Sequence, residues 1–303
     1  MEEVQRKEKR GVSLRWAFAG CKPQAIRVLT ALEDRGFVPV FVASMPEAPE
    51  SDRAELAGWC AARGVELLET SDLRDETARL QDLDLLLVCR FNLLSEEVFS
   101  APRLGSLNIH SSLLPAYRGV HPVSWVLING ERETGVTLHR IDPGVDTGGI
   151  LAARAISIAD HHDLWSLTGD LDNLSAALAV EVFEYIEKHG TLPKEKQQQG
   201  ESSYAPRRRP EDGRIDWSLS ARSIFNFVRA LPEPLPSAFA VGQEGREIRV
   251  KEARLSAVHR ASDALPGEVL ACSAGGWFEV ACGAGDILKC RSEPPVTLGE
   301  RLA

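Results

Sequence analysis

DLLLVCR, residues 84–90, is apolar at every position between its leading aspartate and its trailing arginine. A strand with one wet face alternates polar and apolar residues, whereas an unbroken apolar run belongs to a strand covered on both faces, as parallel strands are. Outward from it, LRWAFAG (14–20), VPVFVAS (38–44) and VELLET (65–70) precede, and SLNIH (106–110) and TGVTLHRID (134–142) follow, with helical patterns between them. That alternation predicts an α/β fold built on a doubly wound, mostly parallel sheet. The first strand turns through AGCKPQAI with a single glycine. The G-x-G-x-x-G fingerprint is therefore absent, and an ordinary NAD enzyme is not expected.

Later segments complete the organisation. A long helix is expected to start at Asp160 as its cap, placing Leu164, Leu167, Leu171, Leu174, Leu178, Val182 and Tyr185 on one face. The stretch TLPKEKQQQGESSYAPRRRPEDG (191–213) is poor in apolar residues and reads as a linker. After it come the helical SARSIFNFVRAL (220–231) and short β-like runs at 238–241, 247–258, 267–272, 277–281 and 286–291, the pattern of a small β-barrel. The expected division is a catalytic domain at 14–190, a linker at 191–219, and a helix plus small barrel at 220–303.

Composition excludes several classes. Among 303 residues, 44% are hydrophobic and 26% charged, and no apolar run nears the roughly 20 residues of a bilayer span. The start, MEEVQRKEKRGVSLRWAFAG, mixes charges and lacks a secretory pattern, so a cytoplasmic protein without membrane contact is expected. Six scattered cysteines without a C-x-x-C pair read as reduced structural thiols, and no metal is expected. His161 and His162 are helix neighbours that do not face each other. The net charge of -9 disfavours nucleic acid, and Arg207–Arg209 reads as a solvated face.

The chemistry sits where SLNIH runs into SSLLPAYRG (111–119). Asn108 and His110 are two apart on a strand, so they share a face, at the strand end where open α/β sheets bind ligands. Beyond the next strand, IDPGVDTGG offers Asp142 and Asp146 in a loop able to fold back. An amide can donate to an oxygen that becomes negative, an imidazole can move a proton near neutral pH, and a carboxylate can orient the ring. Such a set suits acyl transfer without a protein nucleophile, and no G-x-S-x-G elbow is present. Asp142 remains open between a direct role and a turn beside Pro143 and Gly144. Arg118 remains open between gripping an acceptor anion and holding its loop.

The joint occurrence of Asn108-x-His110, SLLPAYRG (112–119), NGERETGVTLHRID (129–142) and VDTGG resembles the folate-dependent formyltransferases, from about Leu14 through GRIDWSLSARSIFNFVRA into the tail. The resemblance implies a Rossmann-like catalytic domain, an OB-like C-terminal barrel, and transfer of a formyl group from 10-formyltetrahydrofolate to an amine. It makes Asn108 the donor to the formyl oxygen, His110 the acid/base and Asp146 its partner. Folate contacts are implied at Arg90, Phe91, Asn92, Leu93 and Leu94 and at the 142–146 turn, including Asp142 and Val145. Acceptor contacts are expected at Ser112, Tyr117, Arg118 and His121.

Two departures from the family pattern stand out: Gly149 where proline is common after D-T-G, and His121-Pro122 where Ala-Pro is usual. The second places acceptor identity in question. YRGVHPVSWVLINGERETGVTLHR and the later RRRPEDGRIDW resemble the amino-sugar branch of the family more than the tRNA branch, which implies a small, nucleotide-linked amino sugar as partner; a monomer or homodimer is expected. The acidic SMPEAPESDRAEL opposes a tRNA acceptor. Methionyl-tRNA, an N-hydroxylated amino acid, hydrolysis of the folate, and a non-enzymatic folate sensor remain the alternatives.

Overall fold

The computed structural model describes residues 14–256 and 263–303. In chain order the elements are β1 (Trp16–Gly20), α1 (Lys22–Glu33), β2 (Phe41–Ser44), α2 (Glu50–Arg63), β3 (Glu66–Glu69), α3 (Thr77–Gln81), β4 (Leu85–Cys89), α4 (Glu96–Phe99), β5 (Ser106–His110), β6 (Arg118–Gly119), α5 (Pro122–Ile128), β7 (Glu133–Arg140), β8 (Ile150–Ser157), α6 (Leu164–His189), β9 (Tyr204–Ala205), α7 (Ala221–Arg229), β10 (Ala238–Val241), β11 (Glu247–Leu255), β12 (Val269–Ser273), β13 (Trp277–Ala281) and β14 (Ile287–Glu293). The described residues fall into two compact units, 14–119 with 134–156 and 169–204, and 120–133 with 157–168, 205–256 and 263–303. Among the described residues no helix is long and apolar enough to cross a membrane.

The first unit is a seven-stranded sheet in the order β3-β2-β1-β4-β5-β7-β8. Strands β1 to β5 pair in parallel. β1 and β4 are buried along their whole length, as their continuous apolar sequence requires. Alternation along β1 divides the core. Ala17 and Ala19 join Phe41, Ala43, Leu80, Leu86 and Val98 on one side, while on the other Trp16 meets Phe183 of α6 edge to face at 4.8 Å. The seventh strand, β8, has no counterpart in the sequence reading: its ILAARAIS carries an exposed stretch, as an edge strand does.

β7 reverses the sheet's direction, pairing antiparallel to β5 with Asn108 opposite His139 and His110 opposite Thr137. The connection after β7 therefore leaves beside the start of β5. Gly148 lies so close to β7 that a β-carbon there would stand 1.9 Å from the Arg140 carbonyl oxygen. The glycine of the D-T-G run is thus required by close approach of two backbones.

The second unit carries a five-stranded antiparallel sheet, β10-β11-β14-β13-β12. Irregularities at Val250/Glu252 and Val269/Ala271 bend it as a small barrel demands. The strand expected over 247–258 ends at Leu255, and its last two positions lie outside the described residues, as does MEEVQRKEKRGVS at the start. Ser220 caps α7 through the Ser223 amide. Arg208 is no solvated residue: it is half-buried, with its guanidinium over Trp125 at 5.8 Å and Phe227 at 5.2 Å.

Two helical expectations are corrected. α6 starts at Leu164, and the cap is Asp163, which accepts from the Ser166 amide at 2.8 Å while Ser166 Oγ accepts from the Asp163 amide at 2.9 Å. Asp160 instead pairs with Arg222 at 2.5 Å. Tyr185 is 38% exposed, and Phe183 and Ile186 take the buried face in its place.

Candidate active site

β5 ends by presenting Asn108, half-buried, and His110, buried, on one face. The loop 141–149 folds back over that face and delivers Asp146, whose backbone is left-handed at φ 53°. Asp146 Oδ2 lies 3.5 Å from His110 Nδ1, and Oδ1 accepts from Asn108 Nδ2 at 3.2 Å. The Gly119 amide donates to Oδ2 at 2.8 Å. Asn108, His110 and Asp146 therefore meet.

A fourth side chain joins them. His139, buried on β7 directly opposite Asn108, sets Nε2 3.2 Å from Asn108 Nδ2 and 3.4 Å from Asp146 Oδ1. Its Nδ1 is 2.8 Å from the Arg140 carbonyl, which only accepts, so that nitrogen carries a proton. The sequence does not mark His139, because TGVTLHRID reads as a plain strand; its signal is strand pairing, which brings any residue opposite Asn108 onto the same face.

His110 is fixed in the same way. Its Nε2 lies 2.8 Å from the Tyr117 carbonyl and so bears hydrogen, leaving Nδ1, beside Asp146, as the nitrogen that gains or loses a proton. Burial pushes the His110 pKa below its ordinary value, against the Asp146 charge, which pulls it up. For Asp146, burial favours the neutral acid, yet the neighbouring His139 and His110 rings and the Gly119 amide outweigh it and hold the carboxyl at about 2. The pair thus rests as a neutral ring beside a carboxylate.

The remaining residues are placed as follows. Tyr117, at φ 58°, contributes its carbonyl. Ser112 is fully buried and donates to the Ala116 carbonyl at 2.6 Å, closing its own loop. Arg118 donates through Nε and Nη2 to Gln198 Oε1 at 3.1 and 2.5 Å. His121, at φ 62°, precedes α5 in the second unit. Arg90, also left-handed at φ 56°, turns its side chain to Gln24 at 2.5 Å and Asp172 at 3.5 Å. Phe91 and Leu94 lie half-buried against the sheet core together with Ile141. Asn92 donates to the Ser71 carbonyl at 3.3 Å, and Leu93 is exposed. Asp142 accepts from the Gly144 amide and from Thr147 Oγ1, forming a turn, and Val145 is exposed.

Residues 48–183 match the family profile described as formyl transferase, and 208–292 match the profile of the formyl transferase C-terminal domain. A methionyl-tRNA formyltransferase of Geobacter metallireducens is 32% identical across 93% of this chain and 97% of its own length. The chain belongs to the formyltransferase family. Another relative of this formyltransferase, the methionyl-tRNA formyltransferase of Anaeromyxobacter dehalogenans, is 36% identical over 91% of this chain and 90% of its own.

Solved structures share its fold. WlaRD, a sugar 3N-formyl transferase solved with dTDP and 5-N-formyl-THF, is 18% identical, covers 94% of this chain and 100% of its own, and superposes with a TM-score of 0.69. The N-formyltransferase of Helicobacter canadensis, solved with folinic acid and dTDP-3-aminofucose, is 18% identical over 92% and 99% of the two chains, with a TM-score of 0.71. The chain is a formyltransferase that carries both profiles of its family.

Proposed function

We propose that this formyltransferase moves a formyl group from 10-formyltetrahydrofolate to the primary amine of a small, nucleotide-linked amino sugar, without a metal. The observation that supports the chemistry is the mutual contact of Asn108, His110 and Asp146 on one face of β5. The folate supplies the formyl carbon and departs as tetrahydrofolate. The half-buried Phe91, Leu94 and Ile141 suit an apolar ring system, with the backbone of the 142–146 turn offering polar groups beside them.

Asn108 exchanges one of its two 3.2 Å contacts for the formyl oxygen and donates to it as negative charge develops. His110 takes the proton of the attacking amine at Nδ1, where Asp146 stabilises the cation, and returns it to the nitrogen from which the formyl group breaks away. Burial holds the ring neutral and ready to accept that proton.

The acceptor is inferred from charge. The connection between β2 and α2 is Met45–Pro49, without a lysine or arginine, and α2 opens with Glu50 and Asp52. A nucleic-acid acceptor arm would meet carboxylates there. A second reading, methionyl-tRNA as acceptor, is favoured by the 32% and 36% identity with methionyl-tRNA formyltransferases over nine-tenths of the chain.

Turnover of 10-formyltetrahydrofolate with nucleotide-linked amino sugars, N-hydroxylated amino acids and charged methionyl-tRNA, read as tetrahydrofolate release and formylated product, separates these readings. Formylated sugar is the expected product. Formyl-methionyl-tRNA formed at a higher rate rejects the acceptor assignment, and release without any acceptor points to hydrolysis.

A further inference from the structure

The run Gln197–Gln199 looks like a featureless piece of spacer, yet its middle residue is half-buried while both neighbours are exposed. Gln198 Nε2 donates to the main-chain carbonyls of Asp146 at 2.8 Å and Gly148 at 2.9 Å. Its Oε1 accepts from Arg118 Nε and Nη2. The amide thus spends both hydrogens and both lone pairs.

These partners flank a single bond. The Gly119 amide, one residue after Arg118, holds the Asp146 carboxylate at 2.8 Å. Gln198 grips Arg118 on one side of that bond and the Asp146 backbone on the other. Asp146 stands in a left-handed conformation at φ 53°, an uncommon state for a residue with a side chain that its surroundings must hold. Elsewhere in the 141–149 loop, the Asp142 turn fixes Gly144 and Thr147.

The segment carrying Gln198 is itself anchored. Lys196 and Ile150 exchange both main-chain hydrogen bonds at 2.8 Å, and Glu195 pairs with Arg140 at 2.7 Å. On the far side, Ser203 accepts from the Tyr117 amide through Oγ at 2.9 Å and from the Arg118 amide through its carbonyl at 2.8 Å. Gln198 is therefore held at both ends, as a brace must be.

We propose that Gln198 is a positioning residue that sets the Asp146 carboxylate against His110 and ties that placement to Arg118 on the acceptor side. The proposal rests on the transfer chemistry assigned above to Asn108, His110 and Asp146 and on the acceptor contact expected of Arg118. It makes the segment before the second unit part of the site, and it links an acceptor-side cation to the carboxylate through one amide.

The test compares Gln198→Leu, which removes all four bonds at nearly constant volume, with Arg118→Leu, which leaves the two Gln198 donors on the Asp146 and Gly148 carbonyls. One readout is independent of turnover: the pH titration of the His110 ring in histidine-labelled protein, followed by NMR and assigned with His110→Gln. In Gln198→Leu the His110 titration moves to lower pH, since the neighbouring carboxylate that favours the cation has drifted away. In Arg118→Leu it stays at the wild-type position.

The second readout is steady-state kinetics with the acceptor that the wild type turns over. Gln198→Leu loses kcat by about tenfold to a hundredfold, the scale of a misplaced catalytic group. Arg118→Leu acts chiefly on the acceptor KM. Thermal unfolding of Gln198→Leu near the wild-type midpoint shows that the fold is kept. A wild-type His110 titration in Gln198→Leu overturns the proposal, and so does a kcat equal to wild type. If no acceptor turns over even with wild type, the proposed function fails, while the ring titration still decides the role of Gln198.

Discussion

Replacing Asp146 by asparagine keeps the shape and removes the charge. The folded protein holds this carboxyl at about 2 against an ordinary 3.8. A shift of nearly two pKa units corresponds to about 2 kcal/mol of folding stability carried by the ionised form at neutral pH. Because the folded pKa is the lower one, that stability is present above pH 4 and is lost as pH falls toward 2. By pH 3 the unfolded chain is mostly protonated at this position while the folded one is still mostly ionised, and about 1 kcal/mol has gone.

The assay is urea unfolding of wild type and Asp146→Asn at pH 7 and pH 3, each followed by fluorescence and circular dichroism. At pH 7 the variant is less stable by about 2 kcal/mol, and at pH 3 the gap narrows by about 1 kcal/mol. Every other carboxylate titrates alike in the two proteins, but the His110 ring loses the Asp146 charge that raises its pKa, so the gap is read in a His110→Gln background, where the ring's own proton uptake drops out. A gap that stays constant or widens on acidification refutes the account of how His139, His110 and the Gly119 amide hold this charge.

Three further outcomes are expected. The pH profile of kcat/KM keeps its activity below the usual histidine range and falls on the acid side only as the lowered His110 pKa is passed, since burial disfavours the cation; an acid limb above pH 7 rejects His110 as the base. His139→Leu, which removes a partner of both Asn108 and Asp146, lowers kcat by about tenfold to a hundredfold with little change in folate affinity; fluorescence titration with tetrahydrofolate checks the second half. Gly148→Ala forces a β-carbon against the Arg140 carbonyl, so it lowers turnover together with the thermal midpoint, and an unchanged midpoint shows that the loop yields freely.

The sequence disclosed the parts of the site that obey a local period. β5 coincides with SLNIH because its apolar residues alternate with Asn108 and His110, and β4 stands where the apolar run demanded a strand covered on both faces. What it withheld depends on pairing and phase. His139 matters through its partner across the sheet, and Gln198 through the exposure of one glutamine in three, neither of which a linear pattern contains. The start of α6 was misplaced because two aspartates compete as caps, and only the reciprocal bond from Ser166 selects Asp163. Tyr185 was misassigned because the apolar residues of α6 cover more than one stripe, so that Phe183 and Ile186 compete with it for the sheet.

Three of the groups that hold Asp146 and receive Gln198 are peptide atoms: an N–H at Gly119, and carbonyls at Asp146 and Gly148. Peptide atoms survive exchange of the neighbouring side chains. Apart from Ser112 and Arg118, whose side chains close the loop and hold Gln198, the outer residues of the 111–119 loop are thereby left open to redesign for new amines, because this part of the scaffolding is written into the backbone instead of into them.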